Sequence, residues 1–88
     1  HVLTGDQSAL AARFATDGRA FRPDEWAADA QGTPLLSNCL ARFVCKRFAI
    51  HPAGDHTLIL GQVTQASKGT GTPLVFVQGK YGQFTNGS

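Results

Sequence analysis

Leu40-Ala41-Arg42-Phe43-Val44-Cys45-Lys46-Arg47-Phe48-Ala49-Ile50-His51, followed by Pro52-Ala53-Gly54-Asp55-His56 and then Thr57-Leu58-Ile59-Leu60-Gly61-Gln62-Val63, is the stretch whose reading decides the fold. Its first part alternates. Ala41, Phe43 and Cys45 fall on one face with Cys39, and Arg42 and Lys46 on the other, as in a β-strand with one apolar side. After Lys46-Arg47 the phase changes, and Phe48 and Ile50 bring apolar groups to the second face. Such a switch predicts either a bulge near Lys46-Arg47 or a strand that passes from one environment to another. His51 to Asp55 reads as a turn, because glycine adopts backbone angles that a side chain forbids. Thr57 to Ala66 reads as a second strand, apolar on both faces at first and therefore central. Two adjacent strands joined by a short turn predict an antiparallel pair.

Working outward, Thr4-Gly5-Asp6-Gln7 fits a capping box, with Asp6 complementing the helix dipole. It predicts a helix from about Gly5 to Thr16 that buries Leu10 and Phe14, with Gly18 ending it. Phe21 and Trp26 flank a loop in which Pro23 permits a short helical turn, and Trp26 suits a packing anchor. Residues 29–34 read as loop. Lys68 to Pro73 is a flexible connector, Leu74 to Val77 a third short strand, and Thr85 to Ser88 an unstructured tail. One helix and a β-meander cannot cover one another. Further strands or a second subunit are expected to complete a barrel.

The 88 residues allow one domain. With 42% hydrophobic and 16% charged residues, the chain is globular rather than disordered. The net charge of +2 is spread thinly, with Lys46-Arg47 the one adjacent basic pair, which argues against a nucleic-acid surface. Arg42, Lys46 and Arg47 read as a wet sheet face. No apolar run approaches the ~20 residues that cross a bilayer, so no membrane is expected, and no signal-peptide pattern is visible. The chain opens on His1-Val2-Leu3, which reads as the end of a strand, so residues upstream are expected to be missing. Cys39 and Cys45 lie too far apart along one strand to pair. Both are expected as small buried hydrophobes in a reducing cytoplasm. His51, Asp55, His56 and Cys45 lack zinc-ligand spacing, so no metal is expected.

Several elements, in order, resemble the C-terminal half of a flavin reductase-like domain, the FMN-binding split barrel of short-chain NAD(P)H:flavin oxidoreductases. They are His1 to Gln7 with Leu10-Ala11 and Arg13-Phe14-Ala15; Phe21 and Trp26; Pro34-Leu35-Leu36; Cys45; Ala53-Gly54-Asp55-His56-Thr57; Gly61-Gln62-Val63; Pro73-Leu74; and Gly79-Lys80-Tyr81. The resemblance implies a mainly β fold with some helix, an antiparallel split barrel of which residues 1–88 would be a C-terminal portion lacking the early strands. It implies FMN or FAD as cofactor, NADH or NADPH as co-substrate, a homodimer or a complementing N-terminal chain, and a possible monooxygenase partner.

Carried to matching positions, the resemblance makes His56 the catalytic residue facing nicotinamide and flavin, with Gly54 and Asp55 shaping its turn. Tyr81 would lie near the nucleotide pocket, and Phe14 and Ala15 would border the flavin. Lys80 stands where the family often has Arg, so a phosphate contact there would be a point charge rather than a fork. Each position has a plainer structural reading as turn, rim or core residue. A non-catalytic flavin-binding or dimerisation module remains the alternative to an enzyme.

Overall fold

A computed structural model describes residues 1–87. Among these, one helix, α1 (Ser8–Thr16), precedes six short or long strands: β1 (Trp26–Ala28), β2 (Pro34–Leu36), β3 (Ala41–Ala53), β4 (His56–Lys68), β5 (Leu74–Val77) and β6 (Lys80–Gln83). The strands form three antiparallel hairpins, β1–β2, β3–β4 and β5–β6. The N-terminal segment stitches these together. Val2 exchanges backbone bonds with Leu40 and Ala41 at the base of β3, and the Leu3 carbonyl accepts from the Leu74 N–H in β5. His1 Nε2 accepts from the Leu36 N–H in β2 at 2.9 Å. Leu36, at 6% exposure, is the one buried apolar residue among those described.

The helix begins later than its capping pattern predicts. Thr4 to Gln7 closes into a turn: the Gln7 amide oxygen accepts from the Thr4 N–H, and the Thr4 hydroxyl turns to Asp6 rather than to the helix. Half of the reciprocal cap thus forms, but one turn ahead of α1. The helix stops at Thr16, before Gly18, as Asp17 becomes extended. Pro23 to Glu25 form a turn and lead directly into β1, not into a helical turn. Asp29 holds the β1–β2 loop by accepting from the N–H groups of Gln31 and Thr33.

The β3–β4 hairpin is longer than predicted, thirteen residues on each side. A two-residue turn, Gly54-Asp55, joins them, flanked by the pair Ala53 and His56. Gly54 has φ of 66°. Positive φ at the first turn residue alone matches the type II′ hairpin turn, whose twist suits the strands. The β5–β6 turn instead has positive φ at both Gln78 and Gly79, the type I′ pattern.

The ladder is interrupted twice. Thr64 is skipped between the pairs Val44–Gln65 and Cys45–Val63, and Phe48 is skipped between Arg47–Gly61 and Ala49–Leu60. The second is the bulge expected near Lys46-Arg47. It also corrects the predicted faces. Paired residues share a face, and β4 alternates without interruption from Val63 to His56. Ile50, opposite Ile59, therefore lies on the face of Phe43 and Cys45, not on the opposite one. This apolar face is open: Phe43 is 54% exposed and Ile59 64%. Among the described residues β4 pairs with β3 alone, in a two-stranded ladder, where the sequence predicts a central strand. Cys45 is exposed on this face and Cys39 only half-buried, and both are free thiols, so neither is the buried hydrophobe expected. Arg42 leaves the wet face assigned to it: half-buried, it donates to the Leu36 carbonyl at 2.9 Å.

Gly69 marks where the end of β4 passes the base of β3. A Cβ there would stand 2.8 Å from the Cys39 carbonyl oxygen, and the Gly69 N–H is tied to the Leu40 carbonyl at 2.6 Å, so the backbone cannot withdraw. Gly69→Ala is expected to cost about 1–3 kcal/mol in unfolding free energy. Gly18→Ala, with nothing within 4 Å, is the control. Equal denaturant midpoints for the two variants would refute the close approach.

Candidate functional site

The chemistry-bearing residues singled out in the sequence lie in three places. Gly54, Asp55 and His56 form the tip of the long hairpin. Both side chains of the Asp55–His56 pair are open, at 92% and 81% exposure, and Asp55 Oδ1 lies 2.6 Å from His56 Nδ1. By strand alternation His56 shares a face with Leu58 and Leu60, themselves exposed.

Lys80 and Tyr81 stand on β6. Lys80 is exposed opposite Val77, and the Tyr81 ring leans on Phe76 with centroids 5.0 Å apart. A shallow hollow of about 220 Å³ beside them is lined by Val75, Val77, Gly82 and Gln83 as well. It does not include His56.

Phe14 and Ala15 occupy the last turns of α1. Phe14 meets Phe21 edge-to-face at 4.9 Å, and Phe21 meets Trp26 at 5.5 Å. The Arg13 guanidinium lies 5.6 Å from the Phe14 ring centre. This aromatic row ties α1 to β1, with Trp26 as its anchor; such pairs contribute about 0.5–1.5 kcal/mol beyond their area. Ala15 is exposed.

Two groupings escaped the sequence reading. Arg13 pairs with Glu25 across the helix–turn boundary, and Glu25 also accepts from the Arg22 N–H. The Arg13 hydrogen bond, helped by that N–H, holds the Glu25 carboxyl below the usual carboxylate range against the opposing effect of burial. A group whose pKa is lowered by folding adds stability above its unfolded value, and that stability is lost as pH falls through the folded one. Acidification from about pH 7 to about pH 3 is therefore expected to narrow the gap in urea midpoint between the native protein and Glu25→Gln. A gap that stays constant would rule out the pairing as its source. The two residues are far apart in sequence, and nothing in their spacing announces them.

The second grouping is a polar hollow of about 520 Å³ between the Thr4–Gln7 turn and the base of the long hairpin, lined by Ser37, Asn38, Cys39 and Thr70 among others. The polar run Ser37-Asn38 was its one sequence signal. Among the described residues, no three His, Cys, Asp or Glu side chains gather as a metal site. No described helix is long and apolar enough to cross a membrane.

Known proteins share this fold. The flavin reductase component BorF of a bacterial two-component tryptophan halogenase superposes with a TM-score of 0.80 at 28% identity, covering 96% of this chain and 57% of that one. Its likeness accounts for a mainly antiparallel β fold with one helix, the split-barrel type. The FMN reductase (NADH) SmoA of Agrobacterium fabrum is 47% identical over 85 residues, 97% of this chain and 49% of its own. The reductase component of a 4-nitrophenol 4-monooxygenase/4-nitrocatechol 2-monooxygenase from Rhodococcus opacus is 33% identical over 84 residues, 96% of this chain and 45% of its own. The chain thus spans about half the length of the curated relatives it matches. The model of the flavin reductase like domain matches residues 1–85, from the N-terminal stitch through β6, and the chain belongs to that family.

Proposed function

We propose that this chain is the C-terminal portion of an NADH-dependent flavin reductase that binds FMN and passes the reduced flavin to a partner monooxygenase. The observation that carries this reading is the exposed Gly54-Asp55-His56 tip within a chain 47% identical to an FMN reductase that uses NADH. Flavin, when bound, supplies the hydride acceptor, and little acid–base chemistry is asked of the protein. The fit rests on open side chains: His56 offers a ring nitrogen, Tyr81 an aromatic face and Lys80 a cation, all exposed. Gly54 lets the tip turn tightly enough to present His56. Phe14 and Ala15 serve as a border, since the Phe14 ring is already engaged by Phe21 and Arg13.

The open apolar face of Phe43, Ile50 and Ile59 is where further strands of the same protein, or a second copy, complete the barrel, while His56 with Leu58 and Leu60 emerges on the other face of β4, toward the nucleotides. Free thiols at Cys39 and Cys45 accord with a cytoplasmic protein. The test is direct. Purified protein should be yellow or take up added FMN, and should oxidise NADH when FMN is supplied. A protein that binds FMN without oxidising NADH or NADPH would make this a non-catalytic flavin-binding module.

A further inference from the structure

Asp55 and His56 sit on either side of a boundary: Asp55 ends the two-residue turn and His56 begins β4. Within a regular strand, adjacent side chains point to opposite faces and do not meet. The turn lifts that constraint, and Asp55 Oδ1 comes to 2.6 Å from His56 Nδ1. An ionised carboxylate has no proton to donate, so Nδ1 must be the donor. In the neutral ring Nε2 is then left with a lone pair and no proton.

We propose that Asp55 is a positioning residue that holds neutral His56 in its Nδ1–H tautomer, so that Nε2 accepts a hydrogen bond from the amide N–H of the nicotinamide carboxamide. The inference rests on the reductase reading above and refines it. A carboxamide has two different ends, an N–H donor and a carbonyl acceptor. An acceptor nitrogen takes only the first, and so fixes which way the amide is turned. The His56 ring is 81% exposed, which leaves Nε2 accessible. Exposed Leu58 and Leu60 on the same face offer the nicotinamide ring an apolar bed. Asp55 acts here through His56 and touches no ligand itself.

Two measurements on the purified protein decide it. The first is the nitrogen NMR of His56 without nucleotide, at a pH where imidazole is neutral. Nδ1 should be protonated and Nε2 bare, and Asp55→Ala should lose that preference while Asp55→Glu retains part of it. The second compares NADH with its acetylpyridine analogue, which keeps the carbonyl but has a methyl in place of the NH2. Asp55→Ala should raise KM for NADH about 3- to 10-fold, the worth of one hydrogen bond, with a smaller change in kcat. It should leave KM for the analogue nearly unchanged, so that the native preference for NADH shrinks. A protonated Nε2 in the native protein, or a preference that survives Asp55→Ala, overturns the inference while leaving the reductase reading intact. Absence of any NADH oxidation by the native protein with FMN overturns that reading and the carboxamide assignment with it, and the nitrogen signals still report whether Asp55 sets the tautomer.

Discussion

His56→Ala is expected to lower kcat/KM for NADH-dependent FMN reduction about 10- to 100-fold, the range for losing a hydrogen bond that strengthens with charge as hydride leaves. The same change should move the unfolding free energy by no more than about 0.5 kcal/mol, as for other exposed positions. The ring is 81% exposed, and Asp55 is its one hydrogen-bond partner among the described contacts. Activity and stability should therefore separate. Steady-state kinetics and a urea titration on the same preparation check this together. Unchanged turnover would remove His56 from the reaction. A large stability loss would return it to the role of a turn residue.

The second large effect concerns folding. Leu36→Ala should cost about 2–5 kcal/mol, the range for emptying a buried leucine site. Leu36 is 6% exposed and joins several elements through its backbone as well. It pairs with Trp26, its N–H meets His1, and its carbonyl receives Arg42. Removing the side chain loosens the packing that keeps these partners in place. Leu36→Met, which conserves volume, should cost under about 1.5 kcal/mol. Denaturant midpoints for the two variants test the assignment, and similar losses would mean that shape rather than buried volume governs the position.

The long hairpin was legible because its determinants are local. Gly54-Asp55 marks its turn, and apolar alternation marks its arms. The bulge at Phe48 was legible because a charged pair breaks the apolar phase. The bulge at Thr64 was not, since Val63-Thr64-Gln65 carries no apolar signal whose phase could slip. Its hydroxyl instead reaches the Val44 carbonyl, a contact twenty residues away in sequence. β1 and β2 escaped notice for a related reason. Trp26-Ala27-Ala28 has no alternation, and the strand exists because Leu36, Leu35 and Pro34 lie opposite it. β6 is set by the Gln78-Gly79 turn, whose glutamine adopts an angle its residue type does not advertise. The candidate site was legible as a set of residues through the family resemblance, but not as an arrangement. The Asp55–His56 contact needs the turn geometry, and the Arg13–Glu25 pair needs the helix and β1 to meet.

The two bulges also bear on insertions and deletions. One extra residue sits on each arm, Thr64 on β4 and Phe48 on β3, so the offsets cancel before the turn is reached. Phe48 is unpaired slack. If any one residue from Lys46 to Phe48 were deleted, the remaining residues could fill the ladder between Cys45 and Ala49. Every pair from Ala49 to the tip would then keep its partner, with His56 still opposite Ala53. A deletion between Ile50 and Ala53 has no such reserve beside it and would rotate the tip by one residue, exchanging the faces on which its side chains emerge. Loss of one residue in this arm is therefore expected to be tolerated between Cys45 and Ala49 and not between Ala49 and the tip.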